Sequence, residues 1–341
     1  METILVLAHT EADGSLARSA LEALGSAKSL GGTLVVGFIG KDVQAAANAI
    51  AGCGTAKFFG VSGADFSQAR YGTDAAAAEA ICRAANATVI VAPATSRWNR
   101  VLPGVAHRLG GRADTHVTGI SATPTPGVGV TRWYYRQRME AVLQRTQRPW
   151  FIALESGCSE AWKGAAGTAT VENVAVTLAD TAKRITVTGV KAPAADQQTI
   201  RPDAKVLFVA GAGWTKKQAD GQAHVPEAEK LIWEFLNLTK ASLGSSKSLV
   251  DLSGEGQAVL PFMTHLNQIG QTGSTPRHPK GLSTCCHGEE PHAVGWRFVS
   301  ERRAVNLDPN CGWAHGKTDV LYVADAFEVM RKVNAMLAAE K

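Results

Sequence analysis

A chain of 341 residues is long enough for roughly two domains of ordinary size, each with a core of its own. Its formal net charge of +5 is mild for that length and gives little reason to expect a nucleic-acid partner, and no stretch is apolar enough for a membrane span. The 6 cysteines show neither Cys-x-x-Cys spacing nor the density of a secreted scaffold, and Met1 leads into an apolar run with no basic n-region, so the expectation is a cytoplasmic protein with reduced thiols and no signal peptide.

The first half alternates short apolar runs with helical patterns. Ile4 to Ala8 reads as a buried strand, Leu16 to Ala27 as a helix stopped by Gly31-Gly32, and Thr33 to Ile39 as the next strand. Val43 to Ala51 then reads as a helix, Ala56 to Phe59 as a strand, Ala75 to Ala85 as an alanine-rich helix and Ala87 to Ala92 as a strand. Such β/α repetition predicts a parallel sheet covered on both faces. From Val117 the pattern turns to β segments at Ser121 to Thr123, Gly129 to Tyr135, Met139 to Gln144 and Trp150 to Leu154, read as a meander closing the first domain. A further strand is expected within Thr170 to Leu178. Pro193 and Pro202 mark a linker, so the predicted organisation is a first domain over 1–190, a linker over 191–203 and a second domain over 204–341. Parallel rhythm restarts with a strand at Lys205 to Ala210, a Gly-Ala-Gly turn and a helix from Glu227 to Leu238.

The stretch from Ile269 to Asp308 carries the most chemistry. It reads Ile-Gly-Gln-Thr-Gly, then the apolar strand Gly281 to Cys286, then His287-Gly-Glu-Glu-Pro-His292, then a second strand ending in Asn306-Leu-Asp308. A small-residue turn, a buried strand and a glycine at a strand-to-helix junction form a phosphate-binding layout, because bare amides at a helix N-terminus attract anions. A nucleotide is expected here.

Gly270-Gln-Thr-Gly273, Gly288 to His292 and Asn306-x-Asp-Pro309 resemble, in order and spacing, the C-terminal domain of the electron transfer flavoprotein α subunit, as does Val323-Ala-Asp-Ala-Phe327. The resemblance implies an α/β fold of two domains, each with a mainly parallel sheet flanked by helices, the second being a Rossmann-like FAD-binding domain. It implies FAD contacts at Ser246, Lys247, Ile269, Gly270, Gln271, Thr272, His287, Gly288, Glu289, Glu290, Pro291, His292, Asn306, Asp325 and Ala326. In that register Thr272 faces flavin N5 and His292 the pyrimidine carbonyl, where a donor favours the reduced, more negative ring. Read from residues alone, Thr272 also fits a turn threonine and His292 a core histidine, while Asp325 could equally be a helix N-cap.

The chain departs from the family at three places. Lys247 stands where the family has an arginine over the flavin, keeping charge but losing the stacked plane. Ala212 replaces an arginine near the phosphates, a loss that Lys216 or Lys217 could offset. Glu289 and Glu290 would suit a helix's first turn yet repel a pyrophosphate sharing it.

Two other readings compete. Cys285, Cys286, His287, His292, Cys311 and His315 crowd together, but adjacent strand cysteines point to opposite faces and do not share one zinc readily. Arg132-Trp-Tyr-Tyr-Arg-Gln-Arg138 with Arg145 and Arg148 could stack on RNA, or could be strand aromatics with arginines at a subunit interface. No Walker motif, nucleophile elbow or His-Glu-x-x-His is present. The resemblance therefore implies an electron carrier with a β-subunit partner, a flavin dehydrogenase as donor and a quinone oxidoreductase or iron–sulfur protein as acceptor, with no nucleic acid and no insertion into a membrane. The departures leave open a flavin-free α-like scaffold of an oxidoreductase complex.

Overall fold

Apolar runs bounded by amphipathic stretches build two sheets in the computed structural model, which describes residues 2–124, 127–135, 139–189, 200–201, 204–251, 259–270, 275–284, 299–310 and 317–340. By its contacts the chain divides into two units, Met1–Lys191 and Ala192–Lys341. Both are α/β, with mainly parallel sheets of nine and five strands flanked by helices. Among the described residues no helix is long and apolar enough to cross a membrane.

The first unit runs β1 (Thr3–His9), α1 (Arg18–Lys28), β2 (Thr33–Gly40), α2 (Gln44–Ala49), β3 (Lys57–Ser62), α3 (Tyr71–Ala84), β4 (Val89–Pro93) and α4 (Ser96–Arg108). It continues with β5 (Arg112–Ala122), β6 (Val128–Tyr134), β7 (Met139–Gln144), β8 (Trp150–Leu154) and β9 (Val171–Asn173), giving the order β7-β6-β5-β8-β4-β1-β2-β3-β9. Side chains alternate across β1, so Ile4, Val6 and Ala8 enter a core shared with α1, while Leu5 and Leu7 enter another shared with α3 and α4. In α1 the buried Ala20, Ala23, Leu24 and Ala27 recur at i, i+3, i+4 and i+7, the spacing of one helical face.

Two sequence expectations change. The sequence pattern assigns no element between Ala92 and Val117, where α4 lies, capped by Thr95, whose hydroxyl accepts from Trp98 N. Its Trp98, Val101, Leu102 and Val105 are buried at helical spacing, which outweighs Pro103 and the charged residues around it. The expected meander is real for β5, β6 and β7, which pair antiparallel, but β8 does not extend it. Instead β8 returns to lie parallel between β4 and β5. All five of its residues are buried, as a strand covered on both faces requires, whereas β7 is mostly exposed or half-buried at the sheet edge.

The second unit runs β10 (Val206–Ala210), α5 (Val225–Thr239), β11 (Ser242–Ser245), α6 (Lys247–Asp251), β12 (His278–Thr284), β13 (Val299–Asn306), β14 (Val320–Val323) and α7 (Ala326–Ala339). Its strands are all parallel in the order β11-β10-β12-β13-β14. The sequence direction of strand addition therefore reverses between β10 and β12. Phe208 and Leu243 pack under α5 and α7 in one core. At the amino end of the sheet, the buried His278 ties three pieces together: Nδ1 lies 2.7 Å from Pro276 O, and Nε2 lies 2.9 Å from Arg201 O and 3.0 Å from Ser242 Oγ.

Candidate cofactor-binding edge of the second unit

Parallel strands that end together present their last residues and following turns along one edge, and ligands of open α/β sheets bind there, at the point where strand order reverses. In the second unit that point is the β10/β12 boundary. Beyond β10, Gly211 N donates to Thr284 O at 2.9 Å and a short 3-10 turn follows at Ala212–Thr215. The turn is packed shut. Ala212 and Trp214 are fully buried, the Trp214 indole donates to Thr284 Oγ1 at 2.9 Å, and its ring lies 4.6 Å from that of Phe327. Where the resemblance expects an arginine, the structure thus has a buried methyl group; Lys216 is half-buried and Lys217 exposed.

Next to this turn, β11 ends in the fully buried Ser245, followed by the fully buried Ser246. Ser246 N donates to Ala210 O at 2.9 Å and Ser246 Oγ accepts from Leu249 N at 3.4 Å, so Ser246 caps α6 and leaves Lys247 exposed as its first residue. Ser245 Oγ is buried with no hydrogen-bond partner among the described residues. Ile269 N donates to Ser245 O at 3.2 Å, and Gly270 follows in a left-handed turn with φ of 72°. Four of the expected contacts, Ser246, Lys247, Ile269 and Gly270, are therefore brought together around the carboxyl end of β11.

A second group gathers past β13. Asn306 ends that strand, buried, and its Oδ1 accepts from Asp308 N at 3.4 Å while Nδ2 has no partner among the described residues. Ala324 N donates to Asn306 O at 3.2 Å, which places Asp325 and Ala326 beside it. Asp325 is the N-cap of α7, its Oδ1 accepting from Glu328 N at 3.0 Å, and Ala326 is buried in the first turn. With β10 and β12 lying between β11 and β13, the two groups are on the order of 14 Å apart at the usual strand spacing. Gln271, Thr272, His287, Gly288, Glu289, Glu290, Pro291 and His292 lie outside the described residues, as do Cys285, Cys286, Cys311 and His315. Among the described residues no group of three or more His, Cys, Asp or Glu could hold a metal ion.

The first unit shows what sequence reading missed. There the order reverses between β1 and β4, and His9 ends β1 beside the first turns of α3 and α4. Asp74, fully buried, accepts from Arg97 Nε at 2.8 Å and Nη2 at 2.7 Å, and Nη2 also donates to Phe66 O at 2.9 Å. His9 Nε2 sits 3.7 Å from Asp74 and its ring 4.1 Å from Trp98. Burial, with the Arg97 charge adding to it, lowers the His9 imidazole to about 4, so it is neutral at physiological pH. Burial opposes the Asp74 charge, but the hydrogen bonds and charge of Arg97, with His9 close by, prevail and hold its carboxyl below the usual range. The only sequence signal for this trio was a histidine and an aspartate set within runs of small apolar residues.

The arginines of the aromatic stretch are occupied as well. Asp114, fully buried, accepts from Arg132 Nη1 at 2.9 Å, Arg145 Nη2 at 2.9 Å and the Trp150 indole at 2.8 Å, and Arg148 Nε donates to Glu2 at 2.9 Å. Asp114 thereby ties β5 to Arg132 of β6 and Trp150 of β8; Arg136 and Arg138 lie outside the described residues. A cleft of about 560 Å³ opens at the amino end of β1, lined by Glu2, Leu30, Thr123 and Val128, away from the carboxyl edge and with its carboxylate already engaged by Arg148.

The fold and its edges define a two-unit α/β protein of the doubly wound kind. The electron transfer flavoprotein domain model matches residues 4–179, just over half of the chain, and the chain belongs to that family. No curated protein matches it. Membership brings a flavoprotein-like role in electron transfer with protein partners. The match lies within the first unit, whereas the candidate edge lies in the second.

Proposed function

We propose that this chain is the α-type subunit of an electron transfer flavoprotein and that the carboxyl edge of its second unit holds FAD. The observation that carries the reading is the buried Asn306 Nδ2 and Ser245 Oγ, both without partners among the described residues, at the ends of parallel strands beside Ser246-Lys247 and Asp325. Buried polar groups seldom go unpaired, and such a group at a ligand-binding edge supports an occupant that satisfies it. Two groups some strands apart also suit an extended dinucleotide better than a single ring.

FAD, when bound, accepts electrons from a dehydrogenase flavin and releases them one at a time. The chain's own residues bind and tune. Lys247 supplies an exposed positive charge at the β11 end, Ser246 fixes the turn that presents it, and Asn306 has an amide donor to give to the adenosine half. Asp325 keeps one oxygen on α7 and has further lone pairs to accept from ribose or adenine. Thr272 and His292 complete the flavin end on the strength of the family resemblance. The partners in this reading are a β subunit, a flavin dehydrogenase as donor and a quinone oxidoreductase or iron–sulfur protein as acceptor, met in the cytoplasm.

The buried Ala212 and the indole-filled turn beside it support a second reading, a flavin-free scaffold subunit. One experiment separates them. The chain is purified together with its β-type partner from flavin-replete cells, denatured, and the released nucleotide identified. FAD near one equivalent is expected; no released flavin would leave the scaffold reading standing.

A further inference from the structure

We propose that Thr275 is a positioning residue for the cofactor edge, its hydroxyl fixing the Gly270 turn and with it Ile269 against the carboxyl end of β11. The inference rests on the FAD reading above, which gives Thr275 no role. Gly270 is buried, so its N–H needs a partner. That partner is a side chain and not the backbone: Gly270 N donates to Thr275 Oγ1 at 2.7 Å, and Thr275 is itself only 5% exposed.

The segment just before the turn is held differently. Gln268 bridges Ser245 in parallel fashion and Ile269 N donates to Ser245 O at 3.2 Å, both through main-chain groups that no substitution removes. Past Ile269 that support ends. The left-handed φ of 72° at Gly270 is one of several conformations open to a glycine, so something must select it, and the Thr275 hydroxyl is placed to do so. None of the strand pairings of the second sheet runs through Thr275. Loss of the hydroxyl should therefore shift Gly270 relative to Ser246 and Lys247 and leave the sheet in place.

The test compares the full chain with Thr275→Val, which keeps the branched shape but has no acceptor, and with Thr275→Ser, which keeps the hydroxyl. FAD is titrated against each protein, the bound flavin's absorbance and midpoint potential are recorded, and amide hydrogen exchange at Gly270 is measured without FAD. Thr275→Val is expected to weaken FAD roughly tenfold, to move the potential and to speed Gly270 exchange, with Thr275→Ser returning close to the parent. A merely structural threonine would lower the melting temperature of Thr275→Val and leave the potential of bound flavin unchanged. Parental affinity and potential in Thr275→Val, or equal Gly270 protection in all three proteins, would overturn the proposal. Should Thr275→Val not fold, Thr275→Ala replaces it in the same measurements. Failure of the parent chain to take up FAD is a different result, which removes the cofactor reading together with this inference.

Discussion

The carboxyl edges of the two sheets answer the same structural problem in opposite ways. In the first unit the ends of β1 and β4 meet a charged set, Asp74 paired with Arg97 and flanked by the neutral His9, so the edge is packed with side chains of the unit itself, although His9 Nε2 and Trp98 Nε1 there are buried without a hydrogen-bond partner among the described residues. In the second unit the strand ends carry small neutral groups, and two of them, Ser245 Oγ and Asn306 Nδ2, have no partner among the described residues. Reversal of strand order opens both edges to a ligand in principle. Side-chain chemistry then decides what each edge offers, a buried ion pair with packed aromatic neighbours in the first unit and small neutral groups in the second.

The sharpest way to break that contrast is Arg97→Ala. It leaves the buried Asp74 carboxylate with only a neutral imidazole nearby, and breaking a buried ion pair from one side costs roughly 3–5 kcal/mol. Urea unfolding of the whole chain should show that loss in one transition; an unchanged midpoint would mean that the pair does not close the edge.

Acidification should separate the two units next. His9 binds its proton at about 4 when folded and near the ordinary 6.5 when unfolded, so between those values the unfolded chain holds more protons and stability rises with pH. Its contribution is therefore complete above about pH 6.5 and is lost as pH falls toward 4, by roughly 3 kcal/mol in all. Replacing His9 by Gln should flatten that slope. If the slope persists in His9→Gln, another group carries it.

Smaller effects are expected at the second edge. Lys247→Ala should weaken FAD by roughly 1 kcal/mol and lower the flavin potential, whereas Lys247→Arg, which restores a planar cation, should tighten FAD. Equal affinity and potential in all three proteins would show that Lys247 does not meet the ring. The smallest change is predicted for Ser245→Ala. With no partner to lose, its unfolding free energy without FAD should stay within about 1 kcal/mol of the parent or rise slightly. A drop of more than twice that size would reveal a bond that the unpartnered hydroxyl is not supposed to have.

The sequence by itself determined the local rhythm: β1 through β4 with α1, α2 and α3 between them, the restart at β10 and the long α5 follow from periodicity and turn residues within a few positions of one another. It also marked Ser246, Lys247, Ile269, Gly270, Asn306 and Asp325 through one ordered set of motifs, although nothing local said that they would fall on one sheet edge. Only the tertiary structure decided that β8 slips between β4 and β5, because Trp150 to Leu154 needs cover on two faces and a meander edge gives it less. Likewise Arg132 and Arg145, which could have met RNA, are committed by the distant Asp114, and the turn after β10 is closed by an indole bonded to Thr284 seventy positions away. Local pattern fixes which residues turn inward; which inward groups find each other, and which are left without a partner, depends on contacts between residues far apart in the chain.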